Sequence, residues 1–181
     1  MADHPFLELR TPRLILRRFR PSDAREFLAY RADPEVARYQ GWDPAYSLED
    51  AEAFVESVSR ASPGTPGEWF QFAAVSATTG HLVGDVGLRT DPDDPGLYEL
   101  GVTVAPAHHH QGYAAEMTAA VISYAFTTLA AAAIRAITDT RNEESIRLLE
   151  HLNFRRTETT EAVFKGEECE EHTYELSAPE G

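Results

Sequence analysis

The chain has 181 residues and carries 30 acidic residues against 16 lysines and arginines, which gives a formal net charge of −14. This length is sufficient for one hydrophobic core, so residues 1–181 are expected to form a single domain. The negative charge opposes binding to the phosphates of nucleic acid, and we do not expect that partner. Cys169 is the only cysteine, which excludes an intrachain disulfide and fits a reducing cytoplasm.

The terminal segments and the apolar stretches argue against secretion and membrane insertion. The sequence MADHPFLELR has acids and a proline where a secretory signal needs a basic segment and an apolar run. An uncharged stretch of 18 residues from Met117 to Ile134 approaches the length of a membrane span. Because alanines and threonines make it only weakly apolar, we expect a buried helix running into a strand. The predicted location is the cytoplasm, without membrane contact.

The first elements in the chain are predicted to be a strand and two helices. Residues 14–19 are apolar and β-prone. The segment after them predicts a helix start, with Ser22 or Asp23 as the cap and Glu26 completing a capping box with Asp23. A short second helix is expected after Pro34.

The middle of the chain predicts a third helix and an antiparallel meander. Ser47 and Asp50 form another capping-box pattern ahead of an apolar helical repeat. Residues 69–77 and 82–90 are two strand-like runs separated by a short turn with a glycine, which predicts a hairpin. Residues 97–104 alternate as a further strand.

The second half predicts a strand, helix, strand unit followed by a helix and a hairpin. A central helix is expected over residues 112–129, a buried strand over 134–139 and an amphipathic helix over 142–152. Asn153 stands where helices often end in a left-handed residue. Residues 154–176 predict two strands that turn near a Lys-Gly pair. The whole is a mixed α/β chain with one parallel strand pair and a right-handed crossover.

Residues 108–116, HHHQGYAAE, allow two interpretations. Gly112 permits a close approach of the backbone to a ligand, and free N–H groups at a helix start attract a phosphate. Alternatively, the three histidines could bind a metal. Consecutive histidines point in different directions, however, and the chain has no H-E-x-x-H motif, so no metal is expected. The P-loop and dinucleotide-binding glycine motifs are also absent from the sequence.

The order of these segments resembles the GNAT superfamily of acyl-CoA-dependent N-acetyltransferases. The resemblance rests on HHHQGYAAE, the long helix and strand after it, and DTRNEESIRLLEHLNF, and it extends from residues 9–24 into the C-terminal hairpin. It is similar to the branch with the ribosomal-protein alanine N-acetyltransferases. The resemblance implies an α/β fold of the α+β type, with a mostly antiparallel central sheet, flanking helices and a splayed parallel strand pair that forms the acyl-CoA cleft.

The resemblance also implies residues that bind acetyl-CoA. The pyrophosphate turn of the family falls on residues 109–114, where His109 replaces the usual Gln or Arg. Val102 and Val104 lie on the strand whose backbone N–H groups polarise the acyl carbonyl, and Asn142 is implied to bind the pantetheine arm while capping its helix. The implied cofactor-binding residues are Val102, Val104, His109, His110, Gln111, Gly112, Tyr113, Ala114 and Asn142.

The resemblance implies that two residues take part in acetyl transfer, and each also allows a non-catalytic interpretation. Glu99 occupies a position that serves as general base in several relatives, and it could equally be a charged residue on a solvated strand face. Ser145 is the candidate for a hydrogen bond to the departing thiolate, or it only packs at its helix start. Tyr39 and Trp42 lie in a segment that commonly shapes the acceptor pocket, although aromatic residues more often belong to a core.

The sequence predicts acetyl transfer from acetyl-CoA to a primary amine, carried by a small molecule or by a protein N-terminus. Two alternatives stay open: a catalytically silent acyl-CoA sensor on the same fold, and a histidine-ligated metalloenzyme. The identity of the amine, the length of the acyl group and the oligomeric state, including a homodimer, also stay open.

Overall fold

A sheet of eight strands organises the computed structural model, which describes residues 6–179. The strands are β1 Glu8–Arg10, β2 Leu14–Arg18, β3 Trp69–Ser76, β4 Leu82–Thr90, β5 Leu97–Val104, β6 Ala133–Asp139, β7 Arg155–Phe164 and β8 Glu167–Ser177. Their order in the sheet is β1-β2-β3-β4-β5-β6-β8-β7. Neighbours are antiparallel except β5 and β6, which are parallel. The predicted fold class is confirmed.

Helices cover the two faces of the sheet. They are α1 Ala24–Arg31, α2 Pro34–Ala37, α3 Leu48–Ser59, α4 Tyr113–Thr127 and α5 Glu143–His151. Residues of α1 and α3 such as Phe27 and Val55 form one buried cluster with β3 and the start of β4. Residues of α4 and α5 such as Met117, Val121 and Leu149 form a larger cluster on the opposite face.

Most of the elements expected from the sequence are found. The box of Ser47 and Asp50 caps α3, and Asn153 is left-handed with φ 66°. The uncharged stretch forms α4 and continues into β6, as predicted. Within residues 6–179, none of the helices has the length and apolarity needed to cross a membrane.

The capping box predicted for Asp23 and Glu26 is wrong. Asp23 ends a short 3₁₀ turn, and its carboxylate is buried in a bidentate ion pair with Arg17, at 2.8 and 2.9 Å. Glu26 instead accepts a hydrogen bond from the Leu82 N–H at 2.7 Å and so ties α1 to the start of β4. The local pattern predicted that the Asp23 carboxylate caps a helix, but the carboxylate binds the buried Arg17 instead.

The parallel pair of β5 and β6 creates the opening on which the site is built. Three register pairs join these strands, from Leu97 opposite Ala133 to Glu99 opposite Arg135. Beyond these pairs both strands continue without pairing with each other in the described part of the chain. Because α4 connects the two strands across one face, a cleft lies between their diverging ends.

Candidate active site

The wall of the cleft formed by β5 presents backbone groups that do not pair with a neighbouring strand. The Val102 carbonyl accepts a hydrogen bond from Gln40 Nε2 at 3.3 Å, and the Val104 carbonyl accepts one from His109 Nε2 at 2.8 Å. Neither carbonyl is therefore directed at β4. Since the N–H and C=O of one strand residue point to the same side, the N–H groups of Val102 and Val104 also face the cleft.

The turn between β5 and α4 has the backbone geometry of an anion cradle. His110 and Gly112 are both left-handed, with φ 58° and φ 80°, and Gly112 is the N-cap of α4. The first backbone hydrogen bond of the helix joins Glu116 N–H to the Gly112 carbonyl at 3.1 Å. The N–H groups of residues 113–115 precede that bond and lie at the positive end of the helix dipole.

The three histidines of this turn have three different partners. His109 bonds to β5 as described above, and His108 packs its ring edge-on against Tyr113 with centroids 5.7 Å apart. His110 Nε2 lies 3.7 Å from the Glu144 carboxylate. Within residues 6–179, no group of three or more His, Cys, Asp or Glu residues is placed to hold a metal. The absence of a metal cofactor stays a prediction.

A brace that the sequence did not reveal joins the β1–β2 turn to α4. Glu116 accepts hydrogen bonds from Thr11 Oγ1 at 2.6 Å, from Arg13 N at 2.9 Å and from Arg13 Nε at 2.6 Å. Burial acts to raise the pKa of Glu116, but the bonds from Thr11 and Arg13 outweigh it and lower that pKa below its ordinary value. The carboxylate is therefore held ionised in the first turn of α4.

The same arginine reaches the cradle itself. Arg13 Nη1 donates to the Gln111 carbonyl at 2.9 Å, and its guanidinium lies over the Tyr113 ring, 4.2 Å from the centroid. A Cβ at Gly112 would lie 3.4 Å from Arg13 Nη2. Arg13 thus positions the turn, and its guanidinium, which is paired with Glu116, lies beside the cradle. The roughly hundred residues that separate the partners along the chain hid this contact from local sequence patterns.

Replacing Arg13 by glutamine is expected to weaken coenzyme A binding about tenfold, or about 1.4 kcal/mol, while turnover at saturating acetyl-CoA changes less than about twofold. The physical reason is that the cradle loses the side chain that braces it, whereas the end of the cleft at Glu99 is unchanged. Titration calorimetry with coenzyme A measures the first quantity, and steady-state kinetics measures the second.

The matched control is Arg10→Gln, because Arg10 forms an exposed ion pair with Glu8 on the neighbouring strand β1. That variant should bind coenzyme A like the native chain. Unchanged affinity in a folded Arg13→Gln protein would show that the brace is not part of the cofactor site.

The opposite wall of the cleft is the turn from β6 into α5. Asn142 is the N-cap of α5, and its Oδ1 accepts the Ser145 N–H at 3.2 Å. This cap leaves the amide nitrogen of Asn142 for another partner. Before it, Arg141 binds the Asp139 carboxylate at 2.7 and 2.9 Å, and these hydrogen bonds lower the pKa of Asp139. The structure brings Asn142 and Ser145 together, and the roles implied for them stay proposals.

Glu99 lies where the two parallel strands begin to part. Its neighbours Tyr98 and Leu100 are buried in the core beneath α4. Glu99 therefore points to the other sheet face. Its carboxylate lies 3.7 Å from Arg89 on β4, and both side chains are 37% exposed. This ion pair favours the solvated-face interpretation, whereas the position at the opening of the cleft favours the base.

The segment after α2 closes over the cleft. Tyr39 donates to the Arg141 carbonyl across the opening at 3.5 Å, next to the Gln40 bond to β5. The loop is fastened from the other side by the β7–β8 turn, where Lys165 Nζ donates to the carbonyls of Ala37 and Trp42, at 2.7 Å each. Tyr39 thus lies at the cleft, and its contact with an acceptor stays a proposal.

Trp42 packs on a buried charged group rather than lying free in the cleft. The Arg31 guanidinium lies over the Trp42 ring at 3.5 Å, and Trp42 Nε1 donates to the Arg31 carbonyl at 3.0 Å. Arg31 also pairs with Asp85, which accepts a hydrogen bond from Tyr30. Burial raises the pKa of Asp85, although the charge of Arg31 and the bond from Tyr30 oppose this. Trp42 therefore has a clear packing role, and its contact with an acceptor stays a proposal.

Comparison with known proteins identifies the family. The profile of the Acetyltransferase (GNAT) domain matches residues 13–155. YoaA of Bacillus subtilis, an uncharacterized N-acetyltransferase, is 31% identical over 152 residues, which cover 84% of each chain.

Solved structures share the fold. A GNAT-family acetyltransferase from Bacillus anthracis superposes with a TM-score of 0.85 at 23% identity, over 95% of this chain and 99% of its own. The spermidine N-acetyltransferase of Vibrio cholerae, solved with CoA and spermine, has a TM-score of 0.80 at 19% identity, over 93% and 97%. The domain match and the identity with YoaA, together with the cleft and its cradle, show that the chain belongs to the GNAT family of acetyltransferases.

Proposed function

We propose that this chain moves an acetyl group from acetyl-CoA to a primary amine by direct attack of the amine. The observation that carries the proposal is one cleft with an anion cradle at its outer end and the Glu99 carboxylate where it begins to open. Cys169, the only cysteine, lies on β8 in the terminal hairpin. Burial raises the pKa of its thiol, which argues against an acyl-enzyme intermediate.

The residues of the cleft fit acetyl-CoA. The left-handed Gly112 and the free N–H groups of residues 113–115 offer a pyrophosphate hydrogen-bond donors at the positive end of the α4 dipole. The amide nitrogen of Asn142 would hold the pantetheine arm, and the N–H groups of Val102 and Val104 would polarise the acyl carbonyl. Bound acetyl-CoA supplies a thioester whose carbonyl carbon is open to a neutral amine.

Glu99 is the proposed general base. A primary amine with a pKa of about 10 is almost entirely protonated at neutral pH and must lose a proton before it attacks. The Glu99 carboxylate takes this proton, directly or through a water. Ser145, at the start of α5, donates the hydrogen bond that the departing thiolate requires.

The proposed acceptor is the amine of a small molecule or of a protein N-terminus, and the reaction takes place in the cytoplasm. The resemblance of residues 9–24 and of the cradle to the ribosomal-protein branch supports a protein N-terminus. The loop that carries Tyr39 and Trp42 would form one side of the acceptor pocket. The hydrogen bond from Tyr39 to the Arg141 carbonyl supports this arrangement.

The experiment that tests this function is a thiol-release assay with acetyl-CoA and a panel of primary amines, including peptides with free N-termini. We expect saturable release of coenzyme A thiol and an acetylated product, detected by mass spectrometry. Tight binding of acetyl-CoA without turnover across the whole panel would instead support the silent sensor.

A further inference from the structure

Trp69, at the start of β3, spreads its indole over two glycines of the neighbouring strands. A Cβ at Gly87 on β4 would lie 3.0 Å from Trp69 Cε3, and a Cβ at Gly101 on β5 would lie 4.0 Å from Cη2 and Cζ3. Gly87 thus leaves space that the indole and the Gln71 amide occupy, and the far edge of the indole reaches ordinary contact distance from Gly101. Trp69 is nevertheless 37% exposed, so part of the ring is available to a ligand at the edge of β5.

Ile137 on β6 stands at the other side of the same opening. Its neighbours on either side along the strand, Ala136 and Thr138, are buried, whereas Ile137 is 46% exposed. Ala136 packs in the core beneath α4, so Ile137 points to the face that carries Trp69. β5 and β6 are already apart at Gly101 and Ile137. Two exposed apolar side chains therefore flank the cleft on the face away from α4.

The carboxylates of the strands that line the opening already have cationic partners. Each carboxylate that β4, β5 and β6 direct to this face is paired with an arginine among the described residues. The pairs are Asp85 with Arg31 at 3.5 Å, Glu99 with Arg89 at 3.7 Å and Asp139 with Arg141 at 2.7 Å. A second ammonium group on the acceptor would find no unpaired carboxylate on these three strands. On these three strands, the surface left open to an acceptor is therefore the apolar one of Trp69 and Ile137.

We propose that Trp69 and Ile137 form an acceptor site for amines that carry an aromatic or branched aliphatic group beside the amino group. This inference rests on the proposed acetyl transfer and names its substrate class. The apolar group packs between the indole and Ile137, and the amino group points to the parting of β5 and β6 beside Glu99. Apolar contact on two sides gives the selectivity, since it removes the group from water.

The test compares two amines, 2-phenylethylamine and ethanolamine, and two peptides that differ only in an N-terminal Phe or Ser. We expect the native enzyme to show kcat/KM values at least about tenfold higher for the apolar member of each pair. Trp69→Ser should remove this preference through a higher KM, whereas Trp69→Phe should keep most of it. Gly87→Ala should weaken the preference less than Trp69→Ser does, because its methyl group would lie 2.9 Å from Gln71 Nε2 and 3.0 Å from Trp69 Cε3 and so shifts the indole without removing it.

The control is Val163→Ser, which removes an exposed apolar side chain of β7 that is 72% exposed. It should leave the preference intact, and calorimetry should show that acetyl-CoA affinity is the same in all variants. Turnover that prefers ethanolamine or spermidine, or is indifferent to Trp69, would overturn the acceptor site and leave the acetyl transfer standing. Thiol release with none of the amines would overturn both.

Discussion

Gly112→Val is expected to weaken coenzyme A binding at least tenfold, or about 1.4 kcal/mol. Gly112 has φ 80°, a backbone conformation that a β-branched residue adopts only with strain. The added side chain would also enter the space beside Arg13, whose Nη2 lies 3.4 Å from a Cβ at this position. Both effects disturb the N–H groups that face the anion. Titration calorimetry with coenzyme A measures the loss.

The control for backbone strain alone is Gly80→Val. Gly80 has a similar φ of 74° in the β3–β4 turn, and a Cβ there would meet nothing within 4 Å. This variant should lose stability, because the strain is the same, but should retain coenzyme A affinity. If Gly112→Val is folded and binds coenzyme A as the native chain does, the turn is not the phosphate site.

The fold was largely predictable because its signals are local. Hydrophobic periodicity predicts α4 and α5, and the Ser47 and Asp50 pattern predicts the start of α3. The Lys-Gly pair predicts the turn of the last hairpin. The left-handed Asn153 followed from its place at a helix end. Strand β1, with only three residues, was too short to show a period. Asp23 was misassigned because a capping box and a buried ion pair use the same carboxylate.

Only the parts of the site that lie within one continuous segment could be predicted from the sequence. The cradle is contiguous, so its glycine and its helix start could be read from HHHQGYAAE together. Arg13 and Glu116 lie on separate elements, and no local pattern shows that they meet. The same holds for Trp69 over Gly101, a contact that only the order of β3, β4 and β5 creates. Contacts between distant segments depend on strand order, which a single sequence does not display.

The cradle and Glu99 lie at different ends of the cleft, so their roles can be tested separately. Arg13 and the helix dipole act at the cradle, after the end of β5, whereas Glu99 lies in the part of β5 that still pairs with β6. A change at Glu99 should therefore alter chemistry without altering cofactor binding. This separation makes the base hypothesis testable by kinetics and calorimetry on the same variant.

Glu99→Gln is expected to reduce the rate of the chemical step by roughly a hundredfold to ten-thousandfold, or about 3 to 5 kcal/mol. Glutamine keeps the shape of the side chain beside Arg89 but cannot accept the proton of the amine. Acetyl-CoA affinity should barely change. Raising the pH toward the pKa of the amine should restore part of the rate, because more of the acceptor is then already neutral.

The matched control is Glu175→Gln, since Glu175 on β8 lies in register with Arg135, the residue that pairs with Glu99 across the parallel strands. Glu175→Gln removes a negative charge at the same register position of the sheet, two strands away from Glu99 and outside the cleft. The rate of this variant should therefore stay within about twofold of the native rate. If Glu99→Gln keeps more than about half of the native turnover at pH 7, with chemistry shown to be rate-limiting, Glu99 is only the surface partner of Arg89. Deprotonation would then fall to a water chain or to the substrate itself.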